Sequence, residues 1–184
     1  MSHIDNKIIT AQMLLHVPLC SHKEPKNVLV LTDNRAFQAE FDRYEEIEFF
    51  VVEKDYQKII EGIREKEYDV VVLDAKEKLN PLFVAQINRV LKEDGLAVAL
   101  VKDVKSATAD FGGLFDIVMP YRFITLDGFG EAVFASKKFH PTADLILQRS
   151  DLLEGVEYYN TEIHLSSFAL PNFMRKELQG IYKQ

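Results

Sequence analysis

Acidic side chains stand at the ends of successive apolar runs. Thr32-Asp33 follows Val28 to Leu31, Glu53 follows Ile47 to Val52, Asp74 to Glu77 follows Val70 to Leu73, and Lys102-Asp103 follows Leu96 to Val101. In an open parallel sheet the ligand crevice lies beyond the carboxyl ends of the strands, where the strand order reverses. Read as strands, these runs would put the acids on one rim. Glu53 falls about twenty residues beyond the turn of the first run, where a carboxylate can accept hydrogen bonds from both hydroxyls of a ribose. That spacing points to a nucleoside. The competing reading is that Glu53, Asp55 and Asp74 cap the helices that follow them. The turn itself, Leu31-Thr32-Asp33-Asn34-Arg35-Ala36-Phe37, contains no glycine. Phosphate- and adenosine-binding turns use glycine to let the backbone approach the ligand, so the ligand site is expected to be altered or decayed.

Other residue types with chemical potential carry less. His16, Cys20 and His22 have a spacing suggestive of a metal, but they straddle a proline and have no evident fourth ligand, so no metal is assigned. His140 and His164 fall in no nucleophile motif, which leaves a nucleophilic triad unsupported. Tyr158-Tyr159, Phe168 and Phe173 are expected to pack the tail onto the sheet.

The elements that must position these groups follow from periodicity. Residues 4 to 16 place Ile4, Ile8, Ala11 and Leu15 on one helical face, with Ser2 as N-cap and Pro18 as the stop. The apolar runs read as strands buried on both faces. Helices are expected at about 34 to 44, 55 to 66 and 81 to 91, the last opened by Pro81 and closed by Gly95. Strands alternating with helices predict a parallel sheet with right-handed crossovers. A hairpin across Asp127-Gly128 joins Phe115 to Ile124 with Glu131 to Ser136. The expected fold class is therefore α/β: a methyltransferase-type, Rossmann-like sheet, mostly parallel with an antiparallel terminal hairpin and helices on both faces. Residues 141 to 184 are expected to pack on it as helices.

The chain has 184 residues, one cysteine, no tryptophan and a net charge of -7. This suits a single domain spanning residues 1 to 184, with no internal disulfide and a reducing, cytoplasmic setting. No apolar stretch reaches the ~20 residues that span a bilayer. The acidic balance argues against nucleic acid.

Several segments, taken together, resemble one family. Met13-Leu14-Leu15-His16-Val17-Pro18-Leu19, followed by Lys26 to Leu31, is similar to the helix, "HVPL" and first strand of the spermidine synthases. Tyr158-Tyr159-Asn160-Thr161-Glu162-Ile163-His164, running on to Pro171, resembles their C-terminal "YYN.EIH.A.FALP". Leu91 to Gly95 matches "LKEDG", and Phe134 to Lys137 matches a strand ending in "ASK".

The resemblance implies transfer of an aminopropyl group from decarboxylated S-adenosylmethionine to putrescine. The amine nitrogen attacks the carbon beside the sulfonium, and methylthioadenosine leaves. It places Glu53, Thr32 and Asp33 on the nucleoside, Asp74 and Glu77 as the catalytic acids, and Gln12 toward the amine. Decarboxylated S-adenosylmethionine or methylthioadenosine would be the ligand, a homodimer the assembly. The departures are many. The family's glycine loop "GGGDGG" is Thr32 to Phe37 here, its "YQEM" is Thr10 to Met13, and its "YPSG" tyrosine falls on Thr125. Glu77 stands where an aspartate activates the amine. The family's N-terminal β-domain is expected to be absent, along with a strand between Glu53 and Tyr68. The favoured reading is a spermidine-synthase-like protein with a degraded site and weak or no catalysis. The alternatives are an active divergent synthase using Asp74 and Glu77, and an S-adenosylmethionine-dependent methyltransferase.

Overall fold

The apolar runs do become strands of one sheet. The computed structural model describes residues 3–75 and 79–184. Six strands, β1 (Asn27–Thr32), β2 (Glu48–Val52), β3 (Tyr68–Asp74), β4 (Leu91–Leu100), β5 (Ile117–Thr125) and β6 (Gly128–Ser136), lie in the order β2-β1-β3-β4-β6-β5. The first four run parallel, and β6 is antiparallel to both β4 and β5. Side chains alternate between the two faces. Val28, Val30, Val70 and Val72 enter one core, while Leu29, Leu31, Val71 and Leu73 enter the other.

The first core is built around α1 (Asn6–Ser21), which departs from expectation at both ends. Asp5, not Ser2, is the N-cap, its carboxylate accepting from Ile8 N at 2.9 Å; Ser2 lies outside the described residues. Pro18 does not stop the helix. A proline removes only its own N–H bond to the preceding turn and clashes locally, whereas the turn beyond it is held by tertiary contacts. His22 N donates to the Pro18 carbonyl at 3.0 Å, and Ile146 N donates to the Cys20 carbonyl at 2.8 Å. The Arg149 guanidinium donates to the carbonyls of Leu19, His22 and Lys23. Every residue from Ala11 to Ser21 is buried, so this helix is part of the core and not an amphipathic surface element.

The second face carries α3 (Tyr56–Glu61), α4 (Pro81–Val90) and α5 (Val104–Gly112), through residues such as Ile60, Val84 and Phe111. Asn80 caps α4, accepting from Phe83 N at 2.9 Å. The intervening helices of the first half are shorter than expected: α2 spans Phe37–Phe41, and α3 ends at Glu61. No sequence signal had placed α5. Asp103 is its cap, accepting from Ser106 N at 3.0 Å, so this rim acid serves a helix. The run preceding Glu53 also departs from expectation. As the edge strand, β2 leaves Phe50 and Val51 41% and 46% exposed. The hairpin loop is Leu126-Asp127, one residue earlier than read, with Thr125 facing Gly128. The tail forms α6 (Leu147–Asp151), α7 (Thr161–Ser167) and α8 (Asn172–Glu177).

Candidate functional site

The chain passes from β1 outward to β2, then returns to β3 on the other side of β1. This reversal is where an open α/β sheet accepts a ligand. Thr32 and Asp74, the last residues of β1 and β3, face each other in register. The Thr32 hydroxyl donates to Asp74 Oδ2 at 2.9 Å and accepts from Asn34 N at 2.9 Å. The loop then closes on itself. Asn34 Oδ1 accepts from Ala36 N at 3.0 Å, Phe37 N reaches the Asn34 carbonyl at 3.3 Å, and Gln38 N reaches the Arg35 carbonyl at 3.2 Å. Asn34 Nδ2 ties the loop to the Lys7 carbonyl at 2.9 Å. None of its residues has positive φ, which explains how the turn forms without glycine.

Between this loop and the end of β2 lies an open cleft of about 530 Å3, with Phe37 and Phe41 forming its apolar wall. It brings together three of the residues anticipated from the sequence: Thr32, Asp33 and Glu53. The carboxylates of Asp33 and Glu53 have no hydrogen bond or ion pair among the described residues. Neither Glu53 nor Asp55 caps α3 with its side chain; instead, the Glu53 carbonyl accepts from Tyr56 OH at 3.1 Å. Asp74 is not among the residues lining this cleft, and Glu77 lies outside the described residues.

Gln12 has a different role from the one anticipated. It is 1% exposed. Its Oε1 accepts from the backbone N–H groups of Tyr158 and Tyr159 at 2.9 and 3.0 Å, and its Nε2 donates to Glu40 at 3.0 Å. With both acceptor positions of the amide oxygen filled, it has none left for an ammonium group. The same cluster contains His16, whose Nε2 lies 2.8 Å from Glu40 and whose Nδ1 lies 2.7 Å from Tyr44 OH. Burial pushes the His16 pKa down despite the Glu40 carboxylate. The neutral ring therefore donates from Nε2 and accepts the Tyr44 hydroxyl at Nδ1. Burial works to raise the Glu40 carboxyl, but hydrogen bonds from His16, Arg43 and Gln12 outweigh it and bring the pKa to about 2. Nothing in the sequence linked Glu40 to His16 or Gln12, because no local spacing relates residues on different elements.

His16, Cys20 and His22 turn toward different partners. Cys20 is buried, which raises its thiol to about 11. His22 faces Asp94 at 3.9 Å, with Asp69 beside them. Asp69 already holds Lys92 Nζ at 2.9 Å and two backbone N–H groups, and His22 Nδ1 accepts from Glu24 N at 3.2 Å. In the tail, Tyr159 OH meets His164 Nδ1 at 2.7 Å, while His164 Nε2 donates to the Pro141 carbonyl at 2.8 Å. Asn160 caps α7 by accepting from Ile163 N at 2.8 Å.

A mostly parallel sheet closed by an antiparallel hairpin, with an open cleft beyond the ends of β1 and β2, defines the methyltransferase-type Rossmann-like class. A methyltransferase dependent on S-adenosylmethionine from Archaeoglobus fulgidus superposes with a TM-score of 0.57 at 12% identity, over 72% of this chain and 95% of that one. The spermidine synthase of Thermotoga maritima superposes at 0.84 with 24% identity, over 95% of this chain and 75% of that one. No protein-family model matches. The polyamine aminopropyltransferase of Helicobacter acinonychis is 36% identical over 133 residues, 65% of this chain and 46% of that protein. The chain thus spans about half the length of that relative. The corresponding protein of Clostridium beijerinckii is 25% identical over 96% of this chain and 80% of its own length. That alignment covers 227 residues, more than the chain contains, so the relative carries internal segments without a counterpart here. The chain is thus similar in sequence to polyamine aminopropyltransferases and in fold to spermidine synthase.

Proposed function

We propose that this protein keeps the nucleoside crevice of a spermidine synthase on a single Rossmann-like domain and has little or no aminopropyl transfer. The loop after β1 carries the reading. Four of its amides, those of Asn34, Ala36, Phe37 and Gln38, are bonded within the loop and its first hydroxyl is committed to Asp74, so most of the backbone surface that would hold a decarboxylated S-adenosylmethionine tail is taken up. Glu53 and Asp33, whose carboxylates have no partner among the described residues and line the open cleft, support contacts to a ribose. With decarboxylated S-adenosylmethionine and putrescine, release of methylthioadenosine stays at the rate without enzyme while a true synthase turns over in the same buffer. Steady release would overturn the proposal and return Asp74 and Glu77 to amine activation.

A homodimer is the proposed assembly. Ile124, Leu126 and Phe129, each 65% exposed on the β5–β6 hairpin, support it, and light scattering tests it; a monomer across micromolar concentrations would refute it. Among the described residues no helix is long and apolar enough to cross a membrane. The single buried thiol is in keeping with the proposed cytoplasmic setting.

A further inference from the structure

We infer that the cleft between β1 and β2 takes a nucleoside carrying an anionic group, a carboxylate or a phosphate, with the anion held by Arg35. This rests on the nucleoside reading of the crevice and adds the ligand's charge class. Little of the loop backbone is left for an anion: of the amides from Asp33 to Gln38, only those of Asp33 and Arg35 have no hydrogen bond among the described residues. The amides of Asn34, Ala36, Phe37 and Gln38 all donate within the loop, and α2 has only five residues. A side-chain donor is needed to complete an anion contact there.

Arg35 lines the cleft with its side chain exposed, and its guanidinium has no hydrogen bond or ion pair among the described residues. It differs in this from Arg43, Arg89, Arg122 and Arg149, each committed to carbonyls or carboxylates. A guanidinium presents a planar fork matched to carboxylate and phosphate oxygens. Without Arg35, the formal charges among the described residues lining the cleft would be the carboxylates of Asp33 and Glu53, which repel an anion. With it, one ligand can meet both signs, sugar hydroxyls at Glu53 and the acid group at Arg35. A decarboxylated sulfonium donor brings a positive charge toward the same guanidinium. The cleft's volume of about 530 Å3 suits a nucleotide-sized ligand.

Isothermal titration calorimetry of the full chain with adenosine, 5′-AMP and S-adenosylhomocysteine tests this, repeated with Arg35→Ala and Glu53→Gln. At least one acid-bearing nucleoside should bind about tenfold or more tighter than adenosine, with the advantage falling as salt rises. Arg35→Ala should erase that advantage and leave adenosine unchanged; Glu53→Gln should weaken all three. Tighter binding of 5′-AMP assigns a phosphate, and of S-adenosylhomocysteine a carboxylate. Equal affinities in the native protein, or an advantage that survives Arg35→Ala, would overturn the inference and leave the nucleoside reading standing. If none of the three binds, both fall.

Discussion

His16 Nε2 and a Glu40 carboxylate oxygen lie 2.8 Å apart, joining the buried α1 to the helix that follows the cleft loop. Gln12 and Arg43 reach the same carboxylate, at 3.0 and 2.7 Å. Removing one partner of a buried charge cluster costs more than the net worth of the pair, because the groups left behind stay desolvated. Glu40→Ala should therefore lose about 3 kcal/mol, read from urea denaturation at pH 7.5, while exposed Glu45→Ala changes little. A Glu40→Ala midpoint equal to that of Glu45→Ala would show that the cluster contributes nothing.

Acid should destabilise the fold through His164. Burial lowers its pKa to about 4, against an ordinary 6.5. Between those values the unfolded chain binds a proton that the folded chain does not. The stabilisation is fully present above pH 6.5 and drains away as the pH falls toward 4, to a total of about 3 kcal/mol. His16, also held neutral by burial, acts in the same direction. His164→Gln can still donate to the Pro141 carbonyl and does not titrate. Its stability should fall less steeply between pH 7 and pH 4.5, and a profile parallel to the native one would remove His164 from the account.

Much of this fold could be read because β1, β3 and β4 are covered on both faces, which leaves continuous apolar runs. β2 has an equally apolar run, Phe49 to Val52, yet it forms the sheet edge, and side-chain type does not report a missing neighbour. Pro18 misled for a related reason. The turn beyond it is secured by Arg149 and the Ile146 amide, more than a hundred residues away. Counting from strand ends located Asp33 and Glu53, since the sheet itself sets that geometry. Gln12 and Glu40 are joined only by the packing of α1 on α2, and so had no local signature.

Gly130 pairs with Phe123 across the hairpin, and an added methyl group there would overlap the Phe123 ring. Phe123 is 3% exposed and has little room to retreat. Gly130→Ala should cost about 1–3 kcal/mol by overpacking. Gly113→Ala, where the added carbon meets nothing closer than 3.8 Å, serves as the control. Thermal midpoints that shift equally in the two variants would refute the argument.

Thr32 ties the cleft loop to the sheet through one hydroxyl. Thr32→Val keeps the shape but deprives Asp74 of a donor and Asn34 N–H of its acceptor. The residue is only 2% exposed, so water cannot easily replace the lost bonds, and the cost should be about 1–3 kcal/mol. The loosening should be local as well as global. Hydrogen exchange at the Asn34 and Ala36 amides should accelerate more than at Val71 in the centre of β3, and Thr32→Ser, which retains the hydroxyl, should restore the slow exchange. Uniform acceleration across loop and strand would mean that Thr32 contributes to overall stability without holding the cleft loop in place.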